Sequence, residues 1–506
     1  MAGIAVPDDV GPANTTADRV AGTGVLAAAC VSAFVVNANT SAVSILLPSI
    51  SKDVGASVAK LQWAVTGYSM VGAAVIVTSG ALGDVFGRRK IFIGGLLLFV
   101  ASCVLIALSQ GAAGVVGGRM VQGAAGSTIL ACGMSLLSVA ASGQSQMKAV
   151  TLWGAASAAG GAAGPLVGGV LVGTTGWQGL FWIDAAIAAA CIPVTLRTVQ
   201  ESSDPNRPRS IDYAGTVLVA CVLVPLVLAL SEGNDWGWGS VQTLGCLAGS
   251  IVAGFAFVAV EKRVTAPLVD LKLLRNRTLV GATLAILIVA GTINALMYIA
   301  SLYFQNPAAF GMTALEAGLA TLPAAAGMIA ITPAITPLAG RLGAARVVGI
   351  GFALSALAFG ALAFVHASWT YAAFVLPLIV TAVGLGFANG PASSGSTSAV
   401  APEEVGQASG ISNMARYVGA AIAVAAIATI YNAVINDHLD KGSSKADALA
   451  AGFGASSLML AITCAAGVAL GVLMVRHRPP NTDAVHRAAA AAAPLHTIPT
   501  QPTAQS

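Results

Sequence analysis

The chain has 506 residues, of which 57% are hydrophobic and only 9% charged, with 58 glycines and a formal net charge of +4. Soluble globular chains carry about 25% charged residues, so a water-soluble enzyme is excluded first, and a disordered or collagen-like chain second. What remains is an all-α polytopic membrane protein: its apolar runs are long and continuous and lack the period-two alternation of a membrane β-barrel.

Residues 1–23 carry Asp8, Asp9, Asp18 and Arg19 without a basic start or a cleavage site, and read as a polar tail. Fourteen runs of spanning length follow, at about 24–48, 61–82, 91–110, 112–138, 149–172, 178–196, 211–230, 241–261, 278–304, 315–338, 344–366, 370–395, 407–435 and 452–475. Placing the tail inside the cell puts eighteen Lys and Arg inside and four outside, with Arg119 and Arg416 within spans. That bias predicts both termini in the cytoplasm and an even number of spans. Trp236 and Trp238 read as interfacial anchors on the outer side. The amphipathic piece Pro267 to Arg277 is expected to lie on the membrane surface. The Ala- and Pro-rich tail from about 476 reads as disordered.

Seven cysteines fall in apolar stretches without a Cys-x-x-Cys pair, and five histidines lie at a span end, in loops or in the tail. Neither pattern predicts a disulfide framework, a metal site, a haem or another cofactor. The modest net charge, with basic residues confined to short loops, predicts no nucleic-acid partner. No Gly-x-x-x-x-Gly-Lys-[Ser/Thr] loop is present, which speaks against ATP hydrolysis within this chain.

Spans two and three are joined by Gly80-Ala-Leu-Gly-Asp-Val-Phe-Gly-Arg-Arg-Lys90. Gly83 and Gly87 let two helices meet across a short turn, Asp84 ends one helix, and Arg88 and Arg89 open the next. Span four carries Arg119-Met-Val-Gln122-Gly, a costly cation within a span that normally faces the bundle interior, although snorkelling to headgroups is the alternative. In span five Gly160, Gly164 and Gly168 recur every four residues beside Pro165 and Gly169, giving a bare face for close packing and a freed carbonyl.

These stretches resemble the major facilitator superfamily of transporters, and specifically its fourteen-helix drug:proton antiporter group. Leu61 to Tyr68, Trp177 to Asp184 and Gly406 to Arg416 carry the same resemblance, which covers roughly residues 24 to 475. It implies a major facilitator fold with two six-helix bundles, 24–196 and 278–475, and two inserted helices with linkers at 197–277. Gly340 to Arg346 reads as a degenerate copy of the span two–three motif, which suits such paired halves. Several functional roles follow as expectations. Gly80, Gly83, Asp84, Gly87, Arg88 and Arg89 form a cytoplasmic gate. Gly160, Gly164, Pro165, Gly168 and Gly169 form the antiporter motif. The partners are a small-molecule substrate, protons and the lipid bilayer, for a monomer in a bacterial plasma membrane.

The proton carrier departs from the group's pattern. An acid often stands nine residues before the proline that ends span one; here the proline is Pro48 and the position is Asn39, which cannot titrate near neutral pH. Asn37, Thr40, Ser41 and Ser44 share the opposite face, either lining a cavity or bonding their own backbone. Asp212 and Glu261 are expected at water-reached ends of the inserted spans, and Glu316 in a Thr-x-x-Glu capping box with Thr313. Asp184 in span six is then the coupling candidate, with Arg119 or Arg416 as its charge partner; an interfacial position for Asp184 and titration of Asp84 in the gate motif are the alternatives. Asn37, Asn39, Ser41, Trp63, Tyr68, Gln122, Asn294 and Tyr298 are the cavity candidates, an aromatic and amide set that suits lipophilic solutes.

The leading function is export of hydrophobic or amphipathic compounds, such as drugs, antibiotics or secondary metabolites, by proton antiport and alternating access. An uptake permease or facilitator for a small metabolite is the alternative. A non-transporting sensor and a membrane enzyme stand further off. The latter lacks a paired acidic or metal-binding motif among Asp53, Glu232, Asp235, Asp437, Asp440 and Asp447.

Overall fold

The computed structural model describes residues 22–140, 143–203, 212–265, 267–400 and 405–476. Its helices are α1 (Thr23–Val54), α2 (Val58–Leu61), α3 (Trp63–Phe86), α4 (Arg88–Ala107), α5 (Ala112–Ala140), α6 (Gly143–Thr174), α7 (Gln178–Thr198), α8 (Tyr213–Trp236), α9 (Val241–Glu261), α10 (Arg277–Gln305), α11 (Ala314–Leu342), α12 (Ala344–Leu362), α13 (Tyr371–Ser398), α14 (Val405–Asp440) and α15 (Lys445–Arg476). No strand occurs among the described residues. Thirteen helices there are long and apolar enough to cross a membrane, counting α2 and α3 as one. The 29-residue α11 runs beside them, packed on α13 and α6. The expected disordered tail from about 476, and nearly all of the N-terminal tail, lie outside the described residues.

Packing gathers the helices into two sets. In the first, α1 lies against α5, α6 and α7, α3 against α5, and α4 against α5 and α7. In the second, α10 lies against α13, α14 and α15, α12 against α13 and α15, α11 against α13, and α14 against α15. The sets meet where α3 packs on α14, α6 on α11, and α1 on α10 and α11. The inserted α8 crosses this seam. Its Thr216 hydroxyl is hydrogen-bonded to Thr78 of α3, and its Leu230 carbonyl accepts from Thr429 of α14 at 2.5 Å. α9 packs on α8 and turns Val241, Ile251, Val252 and Phe255 outward, an apolar face suited to lipid.

Three expectations are corrected. The first helix does not end at Pro48 but runs on to Val54, where Gly55 closes it at φ 64°. A proline is tolerated there because the carbonyl it frees, that of Ser44, accepts the Ser301 hydroxyl at 2.6 Å. The linker after α9 turns most of its apolar side chains to protein instead of to lipid. Leu268, Val269 and Leu273 are buried, the last two against Leu279, Ala408 and Ile411, because a protein groove offers them apolar partners. The same linker covers Asp212 and Glu261, so both are buried instead of hydrated. Asp212 caps α8 by accepting from the Gly215 N–H at 2.6 Å, and also accepts from the Leu268 N–H at 3.3 Å.

Glu316 closes a capping box with Thr313 at the start of α11. The turns at Gly87 (φ 111°) and Gly343 (φ 88°) are each a single left-handed residue between two helices, so the faint sequence repeat corresponds to a shared backbone device.

Candidate functional site

Three charged side chains among the described residues lie more than five residues inside a long helix: Arg119 of α5, Asp184 of α7 and Arg416 of α14. Arg119 and Asp184 are almost wholly buried, at 1% and 4% exposure, and α1 supplies the residue that joins them. The Asn39 amide donates to an Asp184 carboxylate oxygen at 2.7 Å, and its carbonyl oxygen accepts from Arg119 Nη1 at 2.6 Å. Arg119 Nη1 also donates to Gln122 Oε1 at 2.5 Å, and its Nε donates to the Ala64 carbonyl at 3.0 Å. Its guanidinium carbon lies 4.3 Å from the centre of the Tyr68 ring. Gln122 passes the chain on to Cys103 Sγ at 3.0 Å.

An isolated charge in such surroundings would be prohibitive. Here the carboxylate and the guanidinium are satisfied through one amide. Asn39 faces this network, while the polar stripe on the other side of α1 bonds largely to its own helix. Asn37 donates to Ala33 O at 2.8 Å and Thr40 to Val36 O at 2.8 Å. Ser41 donates to Asn37 O and to Gly161 O, both at 2.9 Å. Gly161 O is the carbonyl that Pro165 leaves without a helical donor.

Arg416 sits apart, in the second set of helices. It donates to Asn389 Oδ1 at 3.0 Å and to Ser393 Oγ at 2.6 Å. The structure therefore brings Asp184 together with Arg119 and seats Arg416 elsewhere. The remaining cavity candidates are scattered. Tyr68 is in the network, and its ring centre lies 6.3 Å from that of Tyr417 across the seam. Trp63 packs at the same seam. Asn294 donates to Ala290 O at 2.9 Å, and Tyr298 is buried in the core.

The glycine motif of α6 is a contact surface. A side chain begun at Gly160 would stand 2.2 Å from Phe34 O, and one at Gly164 would stand 2.3 Å from Ala38 O. At Gly168 it would stand 3.2 Å from Ala42 Cβ, so three glycines meet three residues spaced by four along α1. Gly169 faces the other set, 2.6 Å from Leu315 Cα by the same construction.

At the Gly87 end of the molecule, Arg88 Nη2 lies 2.9 Å from Asp84 Oδ1. Gly83 packs near Cys132, and Gly80 opens on free space. Arg89 enters through its backbone N–H, which donates to Glu201 Oε1 at 3.1 Å. Glu201 was not singled out in the sequence, and no motif marks it. At the opposite end Asp53 accepts from Trp177 Nε1 and Gln178 Nε2, both at 2.9 Å; the pairing Trp177-Gln178 was the available signal.

That opposite end is also where the two helix sets are fastened. Ser301 donates to Ser44 O, and Gln305 Nε2 donates to Ile45 O at 3.0 Å. At this end Tyr303 belongs to a packed cluster with Phe304, Phe310, Phe374 and Phe453.

Two helical sets meeting along α1, α3, α6, α10, α11 and α14 define a polytopic membrane transporter. The chain belongs to the Major Facilitator Superfamily, whose pattern it matches over residues 29–424. It is 30% identical over 416 residues to the tetracenomycin C resistance and export protein of Streptomyces glaucescens, covering 81% of this chain and 76% of that one. It is 30% identical to the cephamycin export protein CmcT of Amycolatopsis lactamdurans, covering 81% and 85%. It is 29% identical to the multidrug efflux pump LfrA of Mycolicibacterium smegmatis, covering 78% of each. Among solved structures, an auto-inhibited POT family peptide transporter aligns with a TM-score of 0.62 at 17% identity over 91% of this chain and 97% of its own. The human organic anion transporter MFSD10 aligns with a TM-score of 0.59 at 14% identity over 88% and 99%. The last two share the fold.

Proposed function

We propose that the protein exports hydrophobic or amphipathic compounds across a bacterial plasma membrane by exchange for protons, as a monomer with both termini in the cytoplasm. The export and efflux proteins it is similar to support the outward direction over uptake. The observation that carries the coupling is the buried link Asp184–Asn39–Arg119.

In this orientation the fastened end is the outer gate, held shut by Ser301 and Gln305 on the α1 backbone. Asp184 takes a proton when the outside is open and gives it up to the cytoplasm when the inside is open. Protonation removes the negative charge that Asn39 relays to Arg119, so the network's preferred arrangement differs between the two proton states. That differential is what biases the exchange of open faces. Asp84, Arg88 and Arg89 serve the inner gate, and the α1–α6 glycine contact keeps the first bundle rigid as it rocks.

The test is solute uptake into inverted membrane vesicles across a panel of lipophilic compounds, with and without an imposed pH gradient. Gradient-driven accumulation is expected. Accumulation in right-side-out vesicles alone would favour the uptake reading.

A further inference from the structure

The charges within the long helices do not balance. Two guanidinium groups, Arg119 and Arg416, face one carboxylate, Asp184, among the described side chains. Asp184 is committed through Asn39 to Arg119. Arg416 stands eleven residues into α14, about 16 Å from its start at 1.5 Å per residue. Among the described residues it donates to an amide oxygen and a hydroxyl, both neutral, on α13. No carboxylate is among its described partners.

A guanidinium inside a membrane protein is costly unless an anion or a full set of acceptors meets it. Toward the described residues Arg416 uses two of its five N–H donors; it keeps a minor part of its surface exposed and lies next to Tyr417 at the seam between the bundles. Asn389 and Ser393 hold the planar group in place, which pre-organises its remaining donors for a planar acidic group. We propose that Arg416 is the anion-recognising group of the solute path, and that the favoured solutes are amphipathic molecules bearing one acidic group, a carboxylate or an ionised phenol. This rests on the exporter reading for its direction, but not for its charge preference.

The test uses the full-length protein in phosphatidylcholine vesicles and a matched set of aromatic carboxylic acids and their methyl esters. Binding and export are read separately. The wild type is expected to bind the acids about tenfold more tightly than the esters, the scale of one charge-assisted contact. Arg416→Gln should weaken acid binding about tenfold more than ester binding, and Arg416→Lys should retain part of the preference. Equal losses for acid and ester in both variants, or no acid preference in the wild type, would overturn the proposal and leave Arg416 as a brace between α13 and α14. An acid preference that vanishes when phosphatidylglycerol is added would assign the site to a lipid headgroup and equally overturn it. Acid-selective binding without export would leave the Arg416 assignment standing and remove the exporter reading.

Discussion

The Asn39 amide donates to the Asp184 carboxylate at 2.7 Å, and the same side chain accepts from Arg119 at 2.6 Å. One uncharged residue thus stands between a buried acid and a buried base. Replacing Asn39 by Leu removes both contacts and leaves two buried charges short of a partner. Stability is expected to fall by roughly 1–3 kcal/mol, read as a lower unfolding temperature of the detergent-purified protein. An unchanged transition would mean that the network does not hold α1, α5 and α7 together.

Ser301 and Gln305 fasten α10 to the α1 carbonyls of Ser44 and Ile45. Removing both side-chain contacts with Ser301→Ala and Gln305→Ala should shift the population towards an outward-open state. The check is a cysteine placed at Asn294 in a background without native cysteines. Its labelling by an impermeant thiol reagent added from outside should rise severalfold in the double variant. Labelling that stays constant would contradict an outer gate at this position.

The glycine contacts between α6 and α1 make a sharper prediction, because two adjacent glycines differ. Gly160 has no room for a side chain against Phe34 O, whereas Gly161 meets nothing within 4 Å. Gly160→Val should abolish the folded yield. Gly161→Ala should be neutral or stabilising by up to about 1 kcal/mol, from reduced backbone freedom. Both are read by the monodisperse fraction after solubilisation.

At the Gly87 turn, space and backbone conformation can be separated. A side chain there would stand 2.6 Å from the Glu201 carboxyl, and the residue also holds φ 111°. Gly87→Ala should cost about 1–3 kcal/mol, while Glu201→Ala, at an exposed position, should cost less than about 1 kcal/mol. The double variant should be no better than Gly87→Ala, since removing Glu201 leaves the backbone strain in place. Recovery in the double variant would show that crowding alone made the residue glycine.

Much of this was legible in the sequence, because the relevant signals are local. Apolar run length set the number of helices, and the four-residue glycine repeat located a tight face before its partner on α1 was known. The capping box at Thr313 and Glu316 was readable for the same reason. What depended on distant chain segments was not. Asn39 stood out only as a missing acid, since a one-dimensional register cannot say that α7 brings Asp184 to its amide. Asp212 and Glu261 looked hydrated because a linker more than fifty residues beyond Asp212 covers them. Pro48 looked like a helix end because the donor that rescues its freed carbonyl lies 257 residues away, on α10.

The most direct test of the central claim is proton movement coupled to solute movement. Purified protein in vesicles holding a pH-sensitive dye is given a transported solute, and the wild type is compared with Asp184→Asn. Solute-elicited proton flux in the wild type and none in the variant is the expected result. Full proton flux in Asp184→Asn would contradict the account.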